Sequence, residues 1–218
     1  MLLIVEKIDY EKLIRRKNQM NNEQLMKLDG LVYLREITSG KFENVSKFIE
    51  YITTDENGNI SPEGKINETK IRIAERDYQI STLEAAGKFE EADKIRKEYS
   101  GDNVVNFEVK AINNGAMQKT VDMIRADDEL LNLNISYTSG KYQQELMESG
   151  ADKYCTDGLT AACFTDLNGN AYVIYRGTDG YIAWLENTEA ATLADTEYQQ
   201  KALNFFENIP DLTLYNDV

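Results

Sequence analysis

"AYVIYRGTDGYIAW", residues 171–184, decides the reading of this chain. Ala171, Val173, Ile174 and Tyr175, with Tyr172 among them, are apolar and strand-forming, which predicts a buried strand. The run stops at Arg176, Gly177, Thr178 and Asp179, and Trp184 follows. An arginine ending a buried strand needs something to hold its charge. The glycine after it permits a close backbone approach. The threonine next offers a hydroxyl and an N–H at the carboxyl end of the strand, where open α/β sheets place their binding sites. Packing alone accounts for the order poorly, although a plain strand exit carrying a surface arginine is the simpler alternative.

Upstream, "GLTAACFTDLNGNAYVIYRG" predicts strand, turn and strand, with Asn168-Gly169 supplying positive φ angles for a tight hairpin. Downstream, a helix is expected from about Asp195 or Thr196, with Tyr198, Ala202, Phe205 and Phe206 on its apolar side. "LTLYNDV" then reads as another strand, and Pro210 marks a boundary before it.

The N-terminal part is helical in pattern. Residues 6–37 predict two helices, the second carrying Leu25, Leu28, Val32 and Ile37 on one face and capped by Asn22. A short helix is expected over Glu43–Tyr51, and Pro62 is expected to start the next one. Glu63–Tyr99 reads as a helical hairpin broken at Gly87, with Leu83, Phe89, Ala92 and Ile95 inward. "DNVVNFEVKAINN" reads as a short strand or an irregular link, "AMQKTVDMIRADDELLNL" as helix, and "ISYTSGKYQQELMESG" as loop plus a helical turn. The Met and Leu stripe over Met123–Leu133 belongs to a core, and the acid pairs Glu90/Glu91 and Asp127/Asp128 to a solvated surface.

The 218 residues suffice for one domain with a full core or a domain with an appendage, and 42% apolar content is globular. A net charge of −14, from 38 acidic and 24 basic residues, argues against nucleic acid as a partner. The basic cluster Arg15, Arg16 and Lys17 is too short to reverse it. No segment has the apolar length of a membrane span, and Glu6, Lys7 and Asp9 interrupt the apolar start before a signal-peptide core forms. A cytoplasmic location is therefore expected, with other routes of export left open, and Cys155 and Cys163 are expected as thiols. "TTDENGNISPEG" lacks both end carboxylates of a calcium loop, and no zinc or dinucleotide pattern occurs, so neither metal nor cofactor is expected.

The stretch "AYVIYRGTDGYIAWLENTEAA" resembles the strand-and-loop signature of lipase class 3 proteins, a branch of the α/β-hydrolases. It is most similar to bacterial lipase-like members of uncharacterised function. In that family an apolar strand ends in Arg-Gly-Thr or Arg-Gly-Ser and a tryptophan follows, as Trp184 follows Arg176 here. "EQLMKLDGLVYL", "LTAACFTDLNGNAYVIYRGTD" and "DTEYQQKALNFFENI" resemble its N-terminal helix, strand pair and pre-nucleophile helix, together about half the chain.

The resemblance implies an α/β fold: the N-terminal half of an α/β-hydrolase-like sheet, with a largely helical N-terminal region and a helical-hairpin insertion. The divisions it implies are N-terminal helices over 1–40, an insertion or brace over 41–118, and a partial hydrolase core over 119–218 that ends before the nucleophile strand. It implies that Thr178 contributes its N–H to an oxyanion hole, that Arg176, Gly177 and Asp179 support the loop, and that Trp184 and Glu186 flank the acyl site or form a lid. The substrate class is an acyl ester or lipid.

The family's chemistry also needs a serine on a G-x-S-x-G elbow and a histidine base. No serine here sits in such an elbow, and histidine is absent. The expectation is the N-terminal portion of a serine hydrolase, truncated and inactive alone. Two alternatives stand beside it: a non-catalytic binding or interaction protein on a partial hydrolase scaffold, and an assembly in which another chain supplies the missing residues. The final strand would then be an open edge, which predicts a homo-oligomer.

Overall fold

Alternation along one strand organises the molecule. The computed structural model describes residues 20–55, 57–61, 63–152, 155–156, 158–176 and 197–212. Within them three strands, β1 (Asn134–Thr138), β2 (Ala161–Thr165) and β3 (Ala171–Tyr175), form a sheet of order β1-β2-β3, antiparallel throughout. Every residue of the central β2 is buried. Its even positions, Ala162 and Phe164, enter one apolar cluster with Ile135; its odd positions, Ala161 and Cys163, enter another with Tyr137 and Ala171. Period-two alternation thus places a core on each face of the sheet.

The expected hairpin forms, with Ala161 opposite Tyr175 and Thr165 opposite Ala171. Its turn is longer than a two-residue one, and Gly169 takes a positive φ of 80° while Asn168 does not. Asp166 organises the turn: its carboxylate accepts from the backbone N–H groups of Asn168 (2.8 Å) and Asn170 (2.9 Å), a local bond typical of aspartate.

The first face is covered by helices. These are α1 (Asn22–Val32), α2 (Val45–Ile52), α3 (Glu68–Ala85), the short α5 (Lys110–Asn113), α6 (Ala116–Arg125) and α7 (Asp128–Leu131). One cluster joins Leu28, Val32, Val45, Phe48, Ile71, Val109, Val121, Leu130 and Leu133, drawing on residues before 40, between 41 and 118, and after 119. The cap of α1 is Asn21 rather than Asn22, in a capping box with Gln24. The helix after Pro62 starts at Glu68, because Asn67 supplies the cap; Pro62 itself lies outside the described residues.

The α3–α4 hairpin turns at Gly87 (φ 72°), with α4 spanning Phe89–Glu98. Leu83 and Ala92 are buried and Ile95 packs against them, whereas Phe89 is 60% exposed. Phe89 follows the cap Lys88 directly, as the first residue of α4. "DNVVNFEVKAINN" holds no strand: it forms a 3-10 helix over Gly101–Asn106 followed by α5.

The second face is covered by α8 (Ser139–Glu148) and α9 (Glu197–Glu207). "ISYTSGKYQQELMESG", read as a loop and a turn, instead supplies β1 and α8 in immediate succession. Thr138 ends the strand and caps the helix by accepting from the N–H of Lys141. Phe205 on α9 is fully buried against Tyr137, Tyr142 and Tyr175, with Ala202 and Phe206 half-buried beside it. Both cysteines are free thiols, Cys163 fully buried.

Of the acid pairs, Asp127 is not solvated surface. It caps α7 and takes an ion pair from Lys27 at 3.2 Å. The outer edge of β1 is engaged by the segment before α2, through Ile135 N–H to Glu43 (2.8 Å) and Val45 N–H to Leu133 (3.0 Å). The predicted strand over residues 212–218 lies, past Leu212, outside the described residues. Among the described residues no helix is long and apolar enough to cross a membrane.

Candidate functional site

The helix stripe Ile71, Glu75, Tyr78, Thr82 on α3 faces inward, and a carboxylate on such a stripe requires a buried cation. Among the described residues two reach it. Arg35 opens a 3-10 helix over Arg35–Ser39 and is 8% exposed; its Nε lies 2.7 Å from a Glu75 oxygen, and its guanidinium stacks on Tyr78 at 3.2 Å from the ring centroid. Arg176, at the exit of β3, is 7% exposed. Its Nη1 lies 3.5 Å from the other Glu75 oxygen and donates to the Tyr33 carbonyl at 3.4 Å, with its guanidinium 4.7 Å from the Tyr33 ring.

Arg176 is therefore a buried brace and not a surface arginine. Its backbone N–H donates to the Thr160 carbonyl at 2.8 Å, extending the hairpin by one bond. Backbone and side chain together hold Arg176 in place at the exit of β3. Burial, and next the repulsion of Arg35, push the Arg176 pKa down to about 10, with Glu75 acting against them. At neutral pH the guanidinium stays charged. Both buried cations reach the Glu75 carboxylate, and its removal would leave each of them short of that partner.

Two cavities meet at this cluster, and Arg35 and Tyr78 line both. One, of about 290 Å³, is polar: Glu36, Asp77, Ser139 and Thr156 stand on its walls, with the first turn of α8 at Gly140. The other, of about 430 Å³, adds Glu75 and Arg176 and is closed by Leu83, Phe107, Val109 and Met117. On the polar side Glu36 has its pKa raised by burial, an effect that a hydrogen bond with Tyr51 opposes.

Of the site residues expected from sequence, Arg176 is brought into a cluster. Gly177, Thr178, Asp179, Trp184 and Glu186 lie outside the described residues. The sheet-end rule invoked for the loop holds for parallel sheets, and the described strands are antiparallel. Sequence reasoning missed Arg35 and Glu75. Glu75 was marked by its place on the Ile71 stripe, and Arg35 by its position between Leu34 and Ile37 in an otherwise buried run.

No family model matches the chain, and no curated protein and no solved structure matches it.

Proposed function

We propose that β2, β3 and the loop opening at Gly177 form the oxyanion-side corner of a lipase-like α/β-hydrolase, an enzyme class that cleaves acyl esters through a serine nucleophile. The observation that carries the reading is the bracing of Arg176. A loop that presents an N–H to a developing oxyanion works only when it is held before the reaction begins. An arginine buried against Glu75 and Tyr33 supplies that hold immediately before Gly177 and Thr178. On this reading the antiparallel strands lead into the parallel sheet rather than belonging to it.

The sequence contains no histidine, so these residues do not themselves complete a Ser-His-Asp triad, and the protein alone leaves esters intact. A non-catalytic binding scaffold is the second reading, favoured by the two cavities that meet at Arg35.

Reading the source gene past codon 218 and expressing its full product tests the proposal. The expected result is an in-frame G-x-S-x-G and a later histidine, hydrolysis of p-nitrophenyl butyrate by that product, and loss of turnover in Thr178→Pro, which removes the N–H. A stop codon with a matching native mass, or full activity in Thr178→Pro, overturns it.

A further inference from the structure

The pattern Asp-x-Asn-Gly-Asn occurs at 55–59 and again at 166–170, and both copies share one hydrogen-bond arrangement. An Asp55 oxygen accepts from the N–H groups of Asn57 (2.9 Å) and Asn59 (2.8 Å), as an Asp166 oxygen does from Asn168 (2.8 Å) and Asn170 (2.9 Å). Gly58 donates its N–H to the Asp55 carbonyl at 3.2 Å, and Gly169 to the Asp166 carbonyl at 3.3 Å. Both glycines hold a positive φ, 84° and 80°. Local chemistry is thus the same in the two loops, and only their frames differ.

An asparagine before a glycine is chemically labile, because glycine has no Cβ to shield its backbone nitrogen. That nitrogen attacks the asparagine Cγ, an N–C bond forms and closes a cyclic imide, and the Cγ–Nδ2 bond breaks. The side-chain nitrogen leaves as ammonia, taking up the proton that the backbone nitrogen gives to solvent. Water then opens the imide at one of its two carbonyls, giving aspartate or isoaspartate. We propose that Asn57 is a site of spontaneous deamidation, converted in the native protein ahead of Asn114 and Asn168, the other asparagines that precede glycine.

Ring closure requires the glycine N–H to leave its carbonyl partner, so the rate follows the ease of local opening. The loop at 55–59 is flanked by an isolated bridge between Thr54 and Ile60. Asn57, Gly58, Asn59 and Ile60 are all exposed, and the space where Gly58 would carry a Cβ is open. Among the described residues no hydrogen bond holds the Asn57 side-chain amide.

The loop at 166–170 is clamped by the full pairing of β2 with β3, from Thr165 opposite Ala171 to Ala161 opposite Tyr175. Asp166 also accepts from the side chains of Asn170 (2.7 Å) and Tyr172 (3.0 Å), and Asn170 is buried. Asn114 is exposed, but its Oδ1 accepts from the Ala116 N–H at 3.0 Å. Gly115 caps α6 between the buried Ile112 and Met117, so closure there must open the start of a helix. Conversion of Asn57 adds a negative charge beside Asp55, and as isoaspartate it also lengthens the main chain inside the turn.

This inference does not rest on the hydrolase reading. The test is storage of the folded 218-residue protein in mildly alkaline buffer. Peptide mapping by mass spectrometry, with electron-transfer fragmentation to tell aspartate from isoaspartate, follows each site. Asn57 is expected to convert at least about fivefold faster than Asn114 or Asn168. In guanidinium chloride the three sites are expected to react at similar rates, because each is an asparagine before a glycine. Asn57→Gln, whose longer side chain closes the ring poorly, is expected to leave that peptide unmodified and the circular dichroism spectrum unchanged. No conversion at Asn57 while the unfolded chain converts, equal or faster conversion of Asn114 or Asn168 in the folded protein, or the same ranking in guanidinium chloride overturns the proposal.

Discussion

The two faces of the sheet are held in different ways. The first carries a broad, mostly aliphatic core gathered from α1, α2, α3, α6 and α7. The second carries a small aromatic core in which one ring, Phe205, meets Tyr137 at 5.4 Å and Tyr142 and Tyr175 at 5.9 Å. A broad core spreads the cost of a defect over many neighbours, whereas a core centred on one ring concentrates it. The same strand, β2, serves both, so the comparison is made within one protein and one sheet.

Its sharpest test pairs Phe164→Ala with Phe205→Ala, both fully buried. Phe164 lies in the central strand, where no face can close over the gap. We expect a loss of about 4 kcal/mol in urea unfolding. Phe205 lies on a helix that can shift towards the sheet, and about 3 kcal/mol is expected. Hydrogen exchange should then show α9 opening separately in Phe205→Ala, while Phe164→Ala lowers protection everywhere. Equal costs with identical exchange patterns would show that the faces unfold as one unit and remove the distinction.

The charged junction of Arg35, Glu75 and Arg176 borders the first core, where Arg35 and Glu75 stand with Leu34, Phe48 and Ile71. Glu75→Gln keeps the shape and leaves two buried guanidinium groups without the carboxylate they share. The expected loss is about 3 kcal/mol, little changed between 0.1 and 1 M salt because the pair is shielded from solvent. A loss below about 1 kcal/mol, or one that vanishes in salt, would place the junction with ordinary surface pairs.

How much of this was legible in the sequence follows from how local each signal is. The β2–β3 hairpin was readable because Asp166, Asn168 and Gly169 are turn residues set between two apolar runs. Arg176 was readable because a charge ended such a run. β1 was not: "NISYT" has few apolar residues, follows the helical "DELL" closely, and passes its last residue, Thr138, directly to α8 as a cap. Its strand character comes from pairing with β2, a contact made far along the chain. The partners of Arg176 were hidden for the same reason. Glu75 is one charge among many on α3, and only its register with Ile71 and Tyr78 sets it apart. The α/β character was legible, while the antiparallel order and the double-sided core depended on which elements meet in space.

A smaller effect joins the polar cavity to the second face. Gly140, in the first turn of α8, lies so close to the end of the 3-10 helix that an added Cβ would sit 2.7 Å from the Thr38 carbonyl oxygen and 2.8 Å from the Ser39 carbonyl carbon. Both are backbone atoms and cannot rotate away. Gly140→Ala should therefore cost about 2 kcal/mol despite the better helix propensity of alanine. A neutral or stabilising result would mean that α8 slides freely over the 3-10 helix, and that the two faces are less tightly coupled than their contacts imply.

The smallest predicted effect appears only in alkali, and it separates the faces by titration. Tyr137, on the second face, has its pKa raised above the ordinary value of about 10, first by burial and then by its 2.5 Å hydrogen bond to Glu145. Tyr51, packed on the first face, is pushed up to about 12, again by burial and then by Glu36. In each case the folded protein holds the phenol proton more tightly than the unfolded chain does. That contribution is complete below about pH 10, where neither state ionises, and is lost as the pH rises through the folded value, because the unfolded chain gives up its proton first. Stability should therefore fall from about pH 10 upward, over the window between 10 and about 12 for Tyr51. Tyr137→Phe keeps the ring on Phe205 and should cost about 1 kcal/mol at pH 7 through the lost hydrogen bond, yet it should flatten the alkaline slope. Tyr51→Phe should remove a separate part of that slope, and the double variant both parts, since the two rings belong to opposite faces of the sheet. An unchanged slope in Tyr137→Phe would mean that its hydroxyl reaches solvent before the protein unfolds, and that the second face opens locally in base.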